Sequence, residues 1–84
     1  MRVGFVGLGK LGLPVALAVE SKGHNVVGYD INPNVAKYLQ DKQIPFKEEG
    51  IQPLLDNNKI EIKENIKEVV AASDIIFIPI QTPH

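Results

Sequence analysis

Residues 3–30 read VGFVGLGKLGLPVALAVESKGHNVVGYD. The first part, with Val3, Phe5 and Val6 as its apolar residues, is expected to be a short strand spanning residues 2–6. Gly7, Gly9 and Gly12 follow as a G-x-G-x-x-G pattern. Leu11, Val15, Leu17, Ala18 and Val19 then make a strongly apolar run that predicts a helix, with Gly23 as its left-handed stop. A second strand, NVVGYD, closes the stretch on Asp30.

Glycine-rich turns are common, so the context of this one decides its meaning. It leaves a strand and opens a helix. An acidic residue ends the next strand at about the ~20-residue distance of a dinucleotide fingerprint. In that reading Gly7 makes the tight turn, Gly9 lets the backbone approach a pyrophosphate, and Gly12 lets the helix lie close on the sheet. Amides at the helix start, aided by its dipole, would hold the phosphates. A carboxylate at Asp30 can accept both hydroxyls of an adenine ribose and repels a 2′-phosphate. Ile31 is no cation that could attract one. NAD is therefore favoured over NADP, while FAD, which uses the same fingerprint, stays open. The plainer alternative makes the glycines packing devices and Asp30 a solvated turn residue, but four features in register favour the dinucleotide. The candidate cofactor contacts are Gly7, Leu8, Gly9, Lys10, Leu11, Gly12 and Asp30, with Thr82 added by the strand order below.

Working outward, DINPNVAKYLQ predicts a second helix capped by Asn32, with Pro33 at its first position. Pro45 and Gly50 mark a loop, and residues 51–56 a short helix. Residues 60–63 alternate and suggest an edge strand. NIKEVVAAS predicts a helix with Asn65 as cap and Glu68 three residues on, a capping-box-like pair. IIFIPI, residues 75–80, is continuously apolar and is expected to be a strand buried on both faces and paired on both sides. Strands alternating with helices imply an α/β fold with parallel pairing and right-handed crossovers. The expected architecture is the N-terminal portion of a doubly wound Rossmann fold, with strand order 3-2-1-4 and helices on both faces. Residues 1–84 would form one partial NAD-binding domain. The fourth strand then lies beside the first, so Thr82 and Pro83 should border the cofactor crevice. An apolar fourth strand with no later partner also suggests that the chain is a fragment of a complete Rossmann domain.

Composition excludes several classes. The 84 residues are 44% hydrophobic and 23% charged, with a net charge of −1. That suits a globular chain and offers no basic stripe for nucleic acid. No apolar run is long enough to span a membrane, so none is expected, and no signal peptide is evident. There is no cysteine, hence no disulfide, thiolate metal site or thiol nucleophile. A cytoplasmic location is the default expectation.

Other chemistry-bearing residues are weaker candidates. His24 sits in a turn before a strand, where a solvent-facing or capping role outweighs catalysis. His84 has no visible partner. Glu48 and Glu49 are adjacent, and adjacent carboxylates point apart. Tyr29 and Tyr38 suit packing better than base stacking. No catalytic or metal-binding set emerges.

Three separated segments carry a resemblance. Residues 1–32, with Leu13-Pro14 after the third glycine, resemble the start of the UDP-glucose/GDP-mannose (nucleotide-sugar) dehydrogenases. IPFKEEGIQPLL resembles a family loop through Glu48, Gly50, Ile51 and Leu54-Leu55. SDIIFIPIQTPH resembles its fourth strand and Thr-Pro loop. The chain departs from the family at Glu49, often proline, and at Val35, often a lysine near the adenosine. The resemblance implies oxidation of the C6 alcohol of a nucleotide sugar, such as UDP-glucose, to the carboxylate, using two NAD⁺. It also implies a thioester on a cysteine, a further catalytic and sugar-nucleotide part, and a homo-oligomer when full length. These 84 residues alone would then be inactive. The other readings are a β-hydroxyacid dehydrogenase, against which Asp30-Ile31 and the EEGIQPLL loop speak, and a non-catalytic regulatory NAD-binding module.

Overall fold

The computed structural model describes residues 1–9, 11–45 and 50–79. The described residues form four strands and four helices, alternating except where α3 follows α2: β1 (Arg2–Val6), α1 (Gly12–Ser21), β2 (Asn25–Tyr29), α2 (Asn34–Asp41), α3 (Gln52–Asp56), β3 (Glu61–Ile62), α4 (Ile66–Ala72) and β4 (Ile75–Phe77). The strands form one sheet in the order β3-β2-β1-β4. Every pairing is parallel, with Val3 opposite Val26 and Ile75, and Phe5 opposite Gly28 and Phe77. This is the expected doubly wound arrangement, and it places the carboxyl ends of β1, β2 and β4 side by side.

Alternation along β1 divides its two faces. Val3 and Phe5 join Leu8, Ala16, Val26 and Val35 in one buried cluster. Leu13, Leu17, Leu39, Ile51 and Leu55 form a second, between α1, α2 and α3. Gly4 faces the opposite way, where α4 lies so near that a Cβ would collide with Ser73 and Val69. Each buried leucine or phenylalanine contributes ~1.5–3 kcal/mol of burial, which fixes these helices on the sheet.

The helix ends largely follow their local chemistry. Gly23, just past α1, has φ +98°, and its N–H donates to the Glu20 carbonyl at 2.9 Å. The Asn65 side chain accepts the Glu68 N–H at 2.9 Å. Glu68 returns the bond one residue earlier than a capping box would, to the Glu64 N–H at 3.0 Å. Asn32 Oδ1 accepts the Asn34 N–H at 3.0 Å, and α2 begins at Asn34, so Pro33 stands just before the helix rather than at its first position.

β4 departs from expectation. It is three residues long and is not buried on both faces: Ile75 is 44% exposed and Phe77 43%. The physical reason is coverage. α4 packs on β1 and β2, and α1 on β2 and α3, so the β4 flank stands beyond the helices. One ring contact remains, Phe77 stacked on Phe5 with centroids 5.4 Å apart. β3 is also shorter than the alternation suggests, although the Lys63 N–H extends the ladder to the Gly28 carbonyl at 2.8 Å. Among the described residues no helix is long and apolar enough to cross a membrane.

Candidate dinucleotide site

The glycine loop leaves β1 at its carboxyl end. Gly7 has φ +103°, a backbone region that glycine alone enters without strain, and its N–H donates to the Tyr29 carbonyl at 2.7 Å. The turn out of β1 is thereby tied to the end of β2. Gly12 opens α1 at a close approach, where a Cβ would collide with the Gly7 carbonyl and lie 3.1 Å from Pro79 Cγ. Gly9 differs from both, since a Cβ there would meet no atom of the described residues within 4 Å. Its missing side chain relieves no contact with the described residues, which suits a space kept clear for a ligand.

Asp30 sits beside this loop, half-buried. Its Oδ2 accepts the Leu8 N–H at 2.7 Å and its Oδ1 accepts the Asn32 N–H at 2.8 Å. An ionised carboxylate has about four lone-pair sites, so each oxygen can still accept a hydroxyl. Ile31, beside it, is 88% exposed and apolar, so the position next to the carboxylate carries no cation for a 2′-phosphate. α1 begins without a side-chain cap. In its first turn the Leu13 N–H donates to the Gly9 carbonyl at 3.0 Å and Pro14 has no N–H, which leaves the Gly12 N–H at the helix start to face an anion. Open space at Gly9, an uncapped helix start and an oriented carboxylate together fit a dinucleotide.

Of the residues singled out in the sequence, the structure brings Gly7, Leu8, Gly9, Leu11, Gly12 and Asp30 to one corner of the sheet. Leu8 differs in kind from its neighbours, because its side chain is fully buried and only its backbone faces the site. Lys10, Glu48, Glu49 and Thr82 lie outside the described residues. Pro79 carries the chain after β4 to the loop, with its carbonyl 3.7 Å from a Cβ placed on Gly7. Val35 is 2% exposed and belongs to the core, so it cannot take the place of an adenosine-contacting lysine. Sequence reasoning missed Pro79 and Gly28. A Cβ on Gly28 would collide with Leu8 Cδ1, and the signal was a glycine inside a strand, which often marks a close approach.

A separate cleft of about 700 Å³ opens at the amino-terminal ends of the strands, among Arg2, Glu20, His24, Pro53 and Lys59. It contains no residue of the glycine loop. No buried polar side chain occurs among the described residues, so nothing in that cleft is built to orient a ligand.

Comparison with known proteins shows the family of the chain. The model of the UDP-glucose/GDP-mannose dehydrogenase family, NAD binding domain, matches residues 1–84. The UDP-glucose 6-dehydrogenase of Rhizobium meliloti is 32% identical, over 99% of this chain and 20% of its own length. The UDP-N-acetyl-D-mannosamine dehydrogenase of Pyrococcus horikoshii is 31% identical, over 99% and 21%. A crystal structure of a ternary complex of GDP-mannose dehydrogenase from Pseudomonas aeruginosa superposes with a TM-score of 0.86 at 29% identity, over 99% of this chain and 20% of that one. The chain thus spans about a fifth of the length of the relatives it matches.

Proposed function

This chain belongs to the UDP-glucose/GDP-mannose dehydrogenase family as an NAD-binding domain, and we propose that it serves an enzyme oxidising the C6 alcohol of a UDP-sugar, such as UDP-glucose, to a uronate with two NAD⁺. The single observation that carries the site assignment is the Asp30 carboxylate, held by two amides beside the glycine loop. NAD, when bound, supplies the hydride acceptor. The residues of this chain hold it. The N–H of Gly12 at the start of α1 and the open backbone at Gly9 receive the diphosphate, and Asp30 receives the adenine ribose. Pro79 borders the crevice, with Thr82 as a proposed cofactor contact.

The chain contains no cysteine. A thiol step in the reaction would therefore be supplied by residues outside these 84, and the 84 alone would oxidise no sugar.

The relatives include UDP-glucose, UDP-N-acetyl-D-mannosamine and GDP-mannose dehydrogenases, so the sugar nucleotide needs a direct test. Calorimetric titration is expected to show NAD⁺ binding and much weaker NADP⁺ binding. NADH formation by the enzyme that contains this domain is expected with a UDP-sugar and not with GDP-mannose. Turnover of GDP-mannose alone would overturn the substrate assignment.

A further inference from the structure

The Leu8 side chain is fully buried in the core cluster with Phe5, Ala16 and Val26, while its own N–H lies 2.7 Å from Asp30 Oδ2. The position of that amide is therefore set by where the side chain seats. It seats on Gly28. A Cβ on Gly28 would collide with Leu8 Cδ1 and lie 3.3 Å from its Cγ. Gly28 is two residues before Asp30 in the same short segment, so one stretch of chain provides both the seat and the acceptor. The other carboxylate oxygen is held by the Asn32 N–H, a local bond two residues away. With only that bond the carboxylate could swing about its own side-chain torsion, and the long-range bond from Leu8 stops it.

We propose that Gly28 is a positioning residue for the cofactor site: its bare backbone seats the Leu8 side chain, and that seat aims the Leu8 N–H at Asp30 so that the carboxylate is held ready for the ribose hydroxyls. This rests on the reading of Asp30 as the ribose acceptor. Gly28 does not have positive φ, so alanine is acceptable to the backbone and the substitution tests space alone.

NAD⁺ affinity is measured by calorimetry in the full chain, at a temperature where circular dichroism shows each variant folded. Gly28→Ala is expected to weaken NAD⁺ binding about tenfold, the scale of one charge-assisted hydrogen bond. Combined with Asp30→Ala it should add nothing to the loss caused by Asp30→Ala alone. Gly28→Ala with Leu8→Val, which removes the colliding Cδ1, should recover most of the affinity. If Asp30→Ala alone leaves affinity unchanged, the ribose reading fails and takes this proposal with it. If Asp30→Ala weakens binding but Gly28→Ala does not, or weakens it equally with and without the carboxylate, the ribose reading stands and the proposal is overturned. Should Gly28→Ala fail to fold, the Leu8→Val pair carries the test: near-parental affinity supports the proposal, and weak binding or failure to fold overturns it.

Discussion

The main-chain N–H of Leu8 and the carboxylate of Asp30 meet at 2.7 Å although they are 22 residues apart. This bond joins the loop after β1 to the end of β2, so the carboxylate is in place before any ligand arrives. Charge-assisted hydrogen bonds contribute ~1.5–3 kcal/mol each. Asp30→Ala is therefore expected to weaken NAD⁺ binding by about tenfold or more and to narrow the preference over NADP⁺. Titration calorimetry with both dinucleotides checks this, and unchanged affinity for NAD⁺ would remove the ribose role.

Gly9 gives the cleaner test of the phosphate loop. A Cβ there meets no atom of the described residues within 4 Å, so Gly9→Val should unfold at nearly the parental temperature. The added methyls would occupy ligand space, and NAD⁺ binding should be lost. A variant that binds as tightly as the parent would show that the diphosphate lies elsewhere.

Much of this corner is legible in the amino-acid sequence. The glycine spacing, the helix that follows and the acid at the end of β2 are local patterns, and the parallel order follows from their alternation. What is not legible depends on distant partners. The run IIFIPI is apolar enough for a strand covered on both faces, but coverage of Ile75 and Phe77 is set by where α1 and α4 lie, which no periodicity within β4 encodes. The seating of Leu8 on Gly28 is likewise a contact between two segments, each of which reads as ordinary alone. Val35 shows the same limit: only the packing of α2 reveals that it faces the core rather than the cofactor.

Gly12 should respond oppositely to Gly9. A methyl group there is driven into the Gly7 carbonyl and toward Pro79. Overpacking of this kind costs about 1–3 kcal/mol, so Gly12→Ala should lower the midpoint of urea unfolding as well as NAD⁺ affinity. An unchanged midpoint would mean that α1 can slide away from the loop at little cost.

Asp74 ties the entry of β4 to the start of β1. Its carboxylate accepts the Arg2 main-chain N–H at 2.9 Å and pairs with the Arg2 guanidinium at 3.3 Å. The main-chain bond first, and then the guanidinium, hold its carboxyl below the ordinary value of 3.8. A carboxyl lowered by folding stabilises the native state above its unfolded value and loses that contribution as pH falls through the folded one. Stability should therefore decline below about pH 3.8. Asp74→Asn should flatten that acid limb in pH-dependent unfolding curves. Parallel curves for parent and variant would show that the pair is too exposed to matter.

The β4 flank predicts behaviour in solution. Ile75, Phe77 and Ile78 are exposed large apolar side chains, and among the described residues β4, which carries the first two, is paired on one side only. Unpaired apolar edges template association. The 84-residue chain prepared by itself is expected to self-associate, and Phe77→Lys to reduce this in light scattering. A monodisperse parental monomer would refute the expectation.

The pairing of β4 with β1 also has a meaning in time. Arg2 and Asp74 are separated by 72 residues, whereas β1 meets β2 after a single helix. A ribosome releases β1 long before β4, so one side of β1 stays open while every element between them emerges. Pairings that span so much sequence form slowly, and open strand sides on a nascent chain invite wrong partners. A strand in the middle of the finished sheet is thus one that waits long for its second neighbour during synthesis.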